Sequence, residues 1–234
     1  MGKEKIMNGQ LKDKNIVITG ASRGIGFATA KLLLEEGARV FCYSRTMGKL
    51  QELSSHGGMV FYPCDFSSLE SIEKILPTLP SNLDGLVINA AYFERKLVQE
   101  LSLSLWQSHL QVNLNHAFIF VQAAWQALAQ ARGSIVLVSS LAGMSFVEKF
   151  AGASAYTASK MALTGLGEVI AAEGRDLGIR CNILCPGAVD TEMLRRVYPD
   201  FKPNFRAQDI ARHILFWLSP LSAPATGNTI PIMA

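Results

Sequence analysis

No run of Lys or Arg in this chain is longer than two residues, as at Arg195-Arg196, and the formal net charge of +3 is spread over 234 residues. Without a basic patch there is no electrostatic footprint for a nucleic acid or an anionic membrane surface, and neither partner is expected. Long apolar runs are missing too. The greasiest stretch, residues 117–131, is interrupted by Gln122, Gln126 and Gln130 and falls short of the roughly 20 residues that span a bilayer. The charged opening MGKEKIMNGQ leads into no apolar segment, so a cytoplasmic protein is expected and a secretory signal is not. Cysteine is scarce: Cys42, Cys64, Cys181 and Cys185 form no C-x-x-C pair, and three lie in apolar runs, which points to reduced, buried thiols. The histidines, at 56, 109, 116 and 213, have no ligand spacing, so no metal is expected. Repeats, low-complexity segments and linkers are absent as well, and 49% apolar content suits a single domain over residues 1–234 with a large core.

What the chain does have is alternation. Apolar runs of strand length fall at Asn15–Thr19, Arg39–Tyr43, Met59–Tyr62, Gly85–Asn89, Ser134–Ser139, Arg180–Cys185 and Thr229–Ile232. Between them lie helical patterns near Ile25–Glu36, Leu69–Leu76, Leu103–Ala131, Ala155–Leu177 and Ala207–Leu218. Near-continuous apolar strands alternating with helices predict an α/β fold: a Rossmann-like, doubly wound parallel sheet of about seven strands with helices on both faces.

The first strand runs into TGASRGIG, residues 19–26, and then into a helical pattern. Gly20, Gly24 and Gly26 let the loop turn tightly, and a pyrophosphate can then approach the amides of Ser22, Arg23, Gly24 and Ile25 at a helix N-terminus. The spacing is G-x-x-x-G-x-G, and a tight connection without a ligand is the plainer reading of a glycine turn taken alone. At the end of the second strand, where a carboxylate would accept from the free ribose 2′-hydroxyl of NAD, the chain reads Tyr43-Ser44-Arg45. Arg45 with Arg23 suits a 2′-phosphate and hence NADP(H), although both could be solvated surface arginines. Further on, Ser139-Ser140 ends a strand, and Tyr156 and Lys160 share a helix face four residues apart.

Together these motifs resemble those of the short-chain dehydrogenases/reductases, in the subgroup with chains of about 250 residues, and in layout the 3-oxoacyl-carrier-protein reductases. Residues 19–26 are similar to that family's cofactor loop, Asp65 beside Phe66 to its adenine-contacting position, and Asn89-Ala90-Ala91 to the Asn-Ala-Gly that ends its fourth strand. Pro186, Gly187, Val189 and Thr191 resemble its segment over the nicotinamide. Asn113, Ser140, Tyr156 and Lys160 match its catalytic tetrad. Ser140 is preferred to Ser139 because a glycine, Gly143, follows three residues later.

The resemblance implies direct hydride transfer between a nicotinamide and a small-molecule carbonyl or alcohol. Tyr156 is the implied acid/base, Ser140 the hydrogen-bond donor to the carbonyl oxygen, and Lys160 the group that binds the ribose and lowers the Tyr156 pKa. Asn113 is implied to break its helix locally and to hold a water leading to Lys160. Tyr92, Phe93, Met144, Phe146, Val147, Met193, Leu194, Val197, Tyr198 and Phe201 are candidate pocket residues. Departures from the family pattern are Ala91 for glycine, a segment between Gly143 and Tyr156 about three residues longer, a short region after Thr191, and a C-terminus without Asp-Gly-Gly. Leu177 before Gly178 replaces a basic carrier-docking position, so steroid, sugar, pteridine and secondary-metabolite ketones stay open beside 3-oxoacyl thioesters. A non-catalytic NADP-binding sensor or scaffold is the alternative from another class. The windows Leu103–Ala131 and Ala155–Leu177 are apolar on more than one face, which with the resemblance predicts a homodimer through them and in turn a homotetramer.

Overall fold

The computed structural model describes residues 9–233, so most of the segment read for a secretory signal lies outside the described residues. The strands and helices follow in the order β1 (Asn15–Thr19), α1 (Gly24–Glu35), β2 (Arg39–Ser44), β3 (Met59–Pro63), α2 (Leu69–Ile75), β4 (Gly85–Ile88), α3 (Leu103–Leu110), α4 (His116–Ala131), β5 (Ser134–Val138), α5 (Ser154–Gly174), β6 (Arg180–Pro186), β7 (Val189–Asp190), α6 (Glu192–Val197), β8 (Phe205–Arg206), α7 (Ala207–Leu218) and β9 (Thr229–Ile232). Seven strands form one parallel sheet in the order β3-β2-β1-β4-β5-β6-β9, and β7 pairs with β8 in a separate two-stranded ladder. The doubly wound α/β sheet is as expected; β7, β8 and α6 are additional. Their segments are too short to carry a period of either kind, which is why the sequence showed no element there.

The strands read as continuous apolar runs because both faces are covered. Ile16 and Ile18 of β1 point into a cluster with Leu33 of α1 and Ile210 and Ile214 of α7. Val17 between them points to the opposite cluster, with Phe120 of α4 and Ile170 of α5. All three β1 side chains have no exposed surface, and full burial of such a side chain stabilises the fold by about 1.5–3 kcal/mol. The four cysteines are free and buried within these layers, and burial pushes the Cys42 thiol up to about 12, which leaves it unreactive. Among the described residues no helix is long and apolar enough to cross a membrane.

The expected helix over Leu103–Ala131 is interrupted. Gln111–Asn115 forms a π-helical turn between α3 and α4, with buried Asn113 in its middle. Asn89, expected within the fourth strand, lies one residue beyond β4. Ser68, Ser102 and Thr191 cap α2, α3 and α6 through their hydroxyls, whereas α1 has no side-chain cap. The first-turn amides of α1 are therefore not spent on a cap, and they open at the carboxyl edge of β1.

Candidate active site

A cavity of about 1320 Å³ runs along the carboxyl ends of the strands, where a doubly wound sheet offers a crevice. One half is walled by the loop after β1 and by Ser44, Arg45, Asp65, Phe66, Asn89, Ala90 and Ala91. Gly20, Ser22, Arg23, Gly24 and Ile25 line it, as do Pro186, Gly187, Val189 and Thr191 from the opposite wall. Gly26 stands behind the loop: a Cβ there would run into the Gly20 carbonyl and lie 2.7 Å from Asn89 Nδ2, so this glycine lets the start of α1 close on the loop and on Asn89. Gly20 has φ +70°, and a Cβ on it would meet Ala90 Cα at 2.7 Å. The backbone is thus held in a conformation and at a distance that only glycine allows.

Several of these side chains do work other than that expected. The Asn89 carboxamide donates to the Thr19 and Gly20 carbonyls, both at 3.1 Å, and ties the glycine loop to the end of β4. Ser44 donates its hydroxyl to the Thr46 carbonyl. Arg23 forms an exposed ion pair with Glu192 at 3.2 Å across the cavity mouth. Burial of Asp65 is outweighed by the amide and hydroxyl of Ser67 and by Arg45, which together hold its carboxyl below the ordinary value. Thr19, overlooked in the sequence, accepts from the amides of Asn89 and Ala90 at 3.0 and 3.1 Å and so donates its one proton to His116 Nε2, 3.4 Å away. A strand-terminal threonine facing a buried histidine 97 residues later leaves no local signal.

The second half of the cavity holds Ser140, Tyr156 and Lys160. Ser139 and Ser140 both line the cavity; the Ser139 hydroxyl donates to the Lys160 carbonyl at 3.0 Å, and the Ser140 hydroxyl accepts from the Ala142 amide at 3.1 Å. A Cβ at Gly143 would lie 2.6 Å from that same carbonyl, so the glycine after Ser140 lets this turn sit against α5. Burial pushes the Tyr156 phenol up to about 12, against a side-chain hydrogen bond with Ser140 that lowers it; Cys185 and Tyr198 raise it further. The lowering of Tyr156 by Lys160 that the resemblance implied is not found. Lys160 Nζ donates to the Val138 carbonyl at 2.8 Å and lies 5.9 Å from the Tyr156 ring centre. Burial depresses the ammonium to about 8, a value that the nearby Cys185 raises slightly.

The Asn113 side chain is fully engaged with the protein. Its Oδ1 accepts from the Tyr92 amide at 2.7 Å, and its Nδ2 donates to the Tyr92 carbonyl and to Ser159 Oγ at 3.0 and 2.9 Å. It fastens the segment after β4 to α5. The π turn brings this amide inward, which agrees with the expected local break of the helix.

Of the candidate pocket residues, Tyr92, Phe93, Val147, Met193, Leu194, Val197, Tyr198 and Phe201 line the cavity. Met144 packs against the core, and Phe146, at φ +61°, projects wholly into solvent. Phe150, missed in the sequence, lines the cavity from that loop. Phe93 stacks on Tyr156 with ring centres 4.3 Å apart and planes at 16°.

The sequence model of the short chain dehydrogenases matches residues 14–201. The chain belongs to that family. It is 30% identical to dehydrogenase/reductase SDR family member 6 of Xenopus laevis, over 94% of this chain and 96% of the relative. It is 32% identical to 2,3-dihydro-2,3-dihydroxybenzoate dehydrogenase of Escherichia coli, over 94% and 95%. Among solved structures, the RhlG/NADP active-site complex of Pseudomonas aeruginosa superposes with a TM-score of 0.86 and 28% identity, covering 96% of each chain. This short chain dehydrogenase is accordingly an oxidoreductase of a family that uses nicotinamide cofactors. The uncapped α1 and the Gly20 approach, which a side chain would obstruct, fit a dinucleotide pyrophosphate.

The depressed Lys160 gives a sign to pH dependence. The ammonium is present below about pH 8 and lost above it, so cofactor affinity is expected to weaken by about tenfold between pH 7 and pH 10 as a charged donor becomes a neutral one. Fluorescence titration of the reduced cofactor across that range measures this, and Lys160→Met should flatten the profile.

Proposed function

We propose that the chain interconverts a ketone or aldehyde and the corresponding alcohol by direct hydride transfer with NADP(H), with Tyr156 as acid/base. The observation that carries this reading is the convergence of Ser140, Tyr156 and Lys160 on one cavity, opposite a glycine loop suited to a pyrophosphate. A bound nicotinamide supplies or accepts the hydride, and the protein positions and polarises. In the reductive direction Tyr156, kept protonated by burial, gives its proton to the carbonyl oxygen as negative charge grows there. The Ser140 hydroxyl donates to the same oxygen. Lys160 would hold the ribose through its ammonium, which is charged below about pH 8. Asn113 keeps Tyr92 and the segment after β4 in register with α5. All four residues of the implied tetrad are present, which speaks against a binding-only protein.

Support for NADP(H) comes from Arg45, Arg23 and Lys49, all on the adenosine side of the cavity, with no carboxylate at the end of β2. The similar RhlG structure is an NADP complex. The exposed Leu177 offers no cation to a carrier protein, so nothing favours 3-oxoacyl thioesters over other carbonyl compounds. The protein is further proposed to form at least a dimer, through a groove of about 600 Å³ lined by Leu69, Leu114, Phe118, Ile119, Ala162 and Leu166 on the outer side of α4 and α5. Phe118 and Val169 are half exposed there, and an isologous partner would bury them.

Tyr156→Phe is expected to abolish turnover, at least a thousandfold, while NADPH still binds, because the ring stays and only the transferable proton goes. A ketone panel read by loss of reduced-nicotinamide absorbance decides this, and near-normal turnover in that variant would exclude Tyr156 as the acid. Wild-type protein should prefer NADPH to NADH, and Arg45→Asp should shift the ratio of affinities toward NADH by about tenfold; equal binding of both by the wild type contradicts the reading of this site. Light scattering at micromolar concentration should report a dimer or tetramer, and Phe118→Asp should shift it toward monomer.

A further inference from the structure

Three buried side-chain polar atoms have no hydrogen-bond partner among the described residues: His116 Nδ1, Ser154 Oγ and Tyr198 Oη. Only Tyr198 lines the cavity. Buried donors are nearly always satisfied, so an unpartnered phenol at the wall of a binding cavity points to a partner from outside the chain.

The ring that carries this hydroxyl is firmly held. Tyr198 ends α6, its amide donating to the Leu194 carbonyl at 2.8 Å. Phe150, Phe93 and Phe201 surround the ring with centres 5.8, 6.0 and 6.5 Å away. The Arg95 guanidinium sits 5.3 Å from its centre and is itself fixed by donation from Nε to the Ala151 carbonyl at 2.9 Å. None of these neighbours takes the hydroxyl proton. Burial raises the phenol pKa more than Arg95 lowers it, so the group stays a neutral donor through the physiological range. The hydroxyl lies within electrostatic reach of the Tyr156 phenol, whose ionisation it opposes. Tyr156 and Tyr198 thus both belong to the wall of one cavity, and the reacting carbonyl oxygen needs only the first.

We propose that Tyr198 is a specificity-determining residue that donates a hydrogen bond to a second oxygen of the substrate, so that the pocket favours dicarbonyl and hydroxycarbonyl compounds on a flat, apolar frame over simple ketones. The flat frame follows from the composition of the wall: Phe93, Phe150 and Phe201 line the cavity beside Tyr198, and aromatic side chains pack well against another ring. A compound without the second oxygen would leave the Tyr198 hydroxyl buried and unpaired, and a site built to bond an oxygen discriminates against the analogue that lacks it. The inference rests on the reading of this site as a carbonyl–alcohol oxidoreductase.

The test compares 1-phenyl-1,2-propanedione with propiophenone, which differ by one oxygen, using the full chain with NADPH. The quantity read is the ratio of kcat/KM for the diketone to that for the monoketone, in wild type and in Tyr198→Phe. The ratio is expected to fall about tenfold in the variant. A ratio unchanged by the substitution, even with both rates reduced, overturns the proposal, since a merely structural tyrosine would affect both compounds alike. If wild-type protein turns over neither compound, the carbonyl–alcohol reading fails for this class, and quenching of bound NADPH fluorescence then tests Tyr198 by itself. Tighter binding of the diketone by wild type, lost in Tyr198→Phe, sustains the second hydrogen bond; equal or undetectable binding of the two overturns it. Tyr198→His, which keeps a ring and a donor, should recover part of the preference if the phenylalanine variant folds poorly.

Discussion

The contacts between the Asn89 carboxamide and the carbonyls of Thr19 and Gly20 fix the point on which the rest of the site depends. Here the chain order of the sheet reverses, with β1 next to β4 and the crossovers leaving in opposite directions, so a crevice must open. A crevice alone has no defined width. Asn89 sets it by holding the glycine loop against β4, and Thr19 repeats the constraint from the other strand through the amides of Asn89 and Ala90. Gly20 and Gly26 are the complement of this: any side chain at either would meet the atoms that the amide draws together. The cofactor half of the cavity is therefore built from short backbone-directed bonds, and its shape owes little to large side chains.

Asn113 performs the same service for the other half. A carboxamide buried in a helix would compete with the backbone for hydrogen bonds; here the π turn gives it a direction, toward Tyr92 and Ser159. Through those bonds the segment after β4 and the helix that carries Tyr156 and Lys160 become one unit. Lys160 is then left fully buried with the Val138 carbonyl as its oxygen partner, which explains why its ammonium is depressed and why it does not settle the charge of Tyr156. Burial keeps the Tyr156 phenol neutral, against the lowering effect of its hydrogen bond with Ser140.

Legibility in the sequence divides along the same line. The inner strands β1, β4, β5 and β6 could be read because they are buried on both faces, while the edge strands β3 and β9, only partly buried, keep enough apolar residues to show the same pattern. Glycine spacing and the Tyr156–Lys160 pair were legible for a related reason, being local patterns whose partners lie within one turn. The contacts that set distances were not. Thr19 with His116, Asn89 with Gly20 and Asn113 with Tyr92 join residues 21 to 97 positions apart, and nothing in a window of ordinary length relates them. In the loop after Gly143 the composition promised an apolar wall but not which ring supplies it: Phe146, with left-handed backbone, lies wholly in solvent, and the half-exposed Phe150 lines the cavity.

The two halves thus differ in what a change of sequence can do to them. Around the glycine loop, position is set by main-chain atoms, and a new side chain either clashes or is irrelevant. Around Phe93, Phe150, Tyr198 and Phe201 position is set by rings packed on one another, with Arg95 reaching from the segment after β4 to the Ala151 carbonyl and to the Tyr198 ring. A Cβ on Gly152 would meet the Arg95 side chain at 2.6 Å, so the longer loop is shaped to admit that arginine. The links from this wall to the rest of the site are few: Arg23 of the glycine loop pairs with Glu192 of α6, and the Tyr92 main chain bonds to Asn113. One half of the cavity is thus held by hydrogen bonds at strand ends and by buried amides, and the other by an aromatic wall whose rings pack on one another.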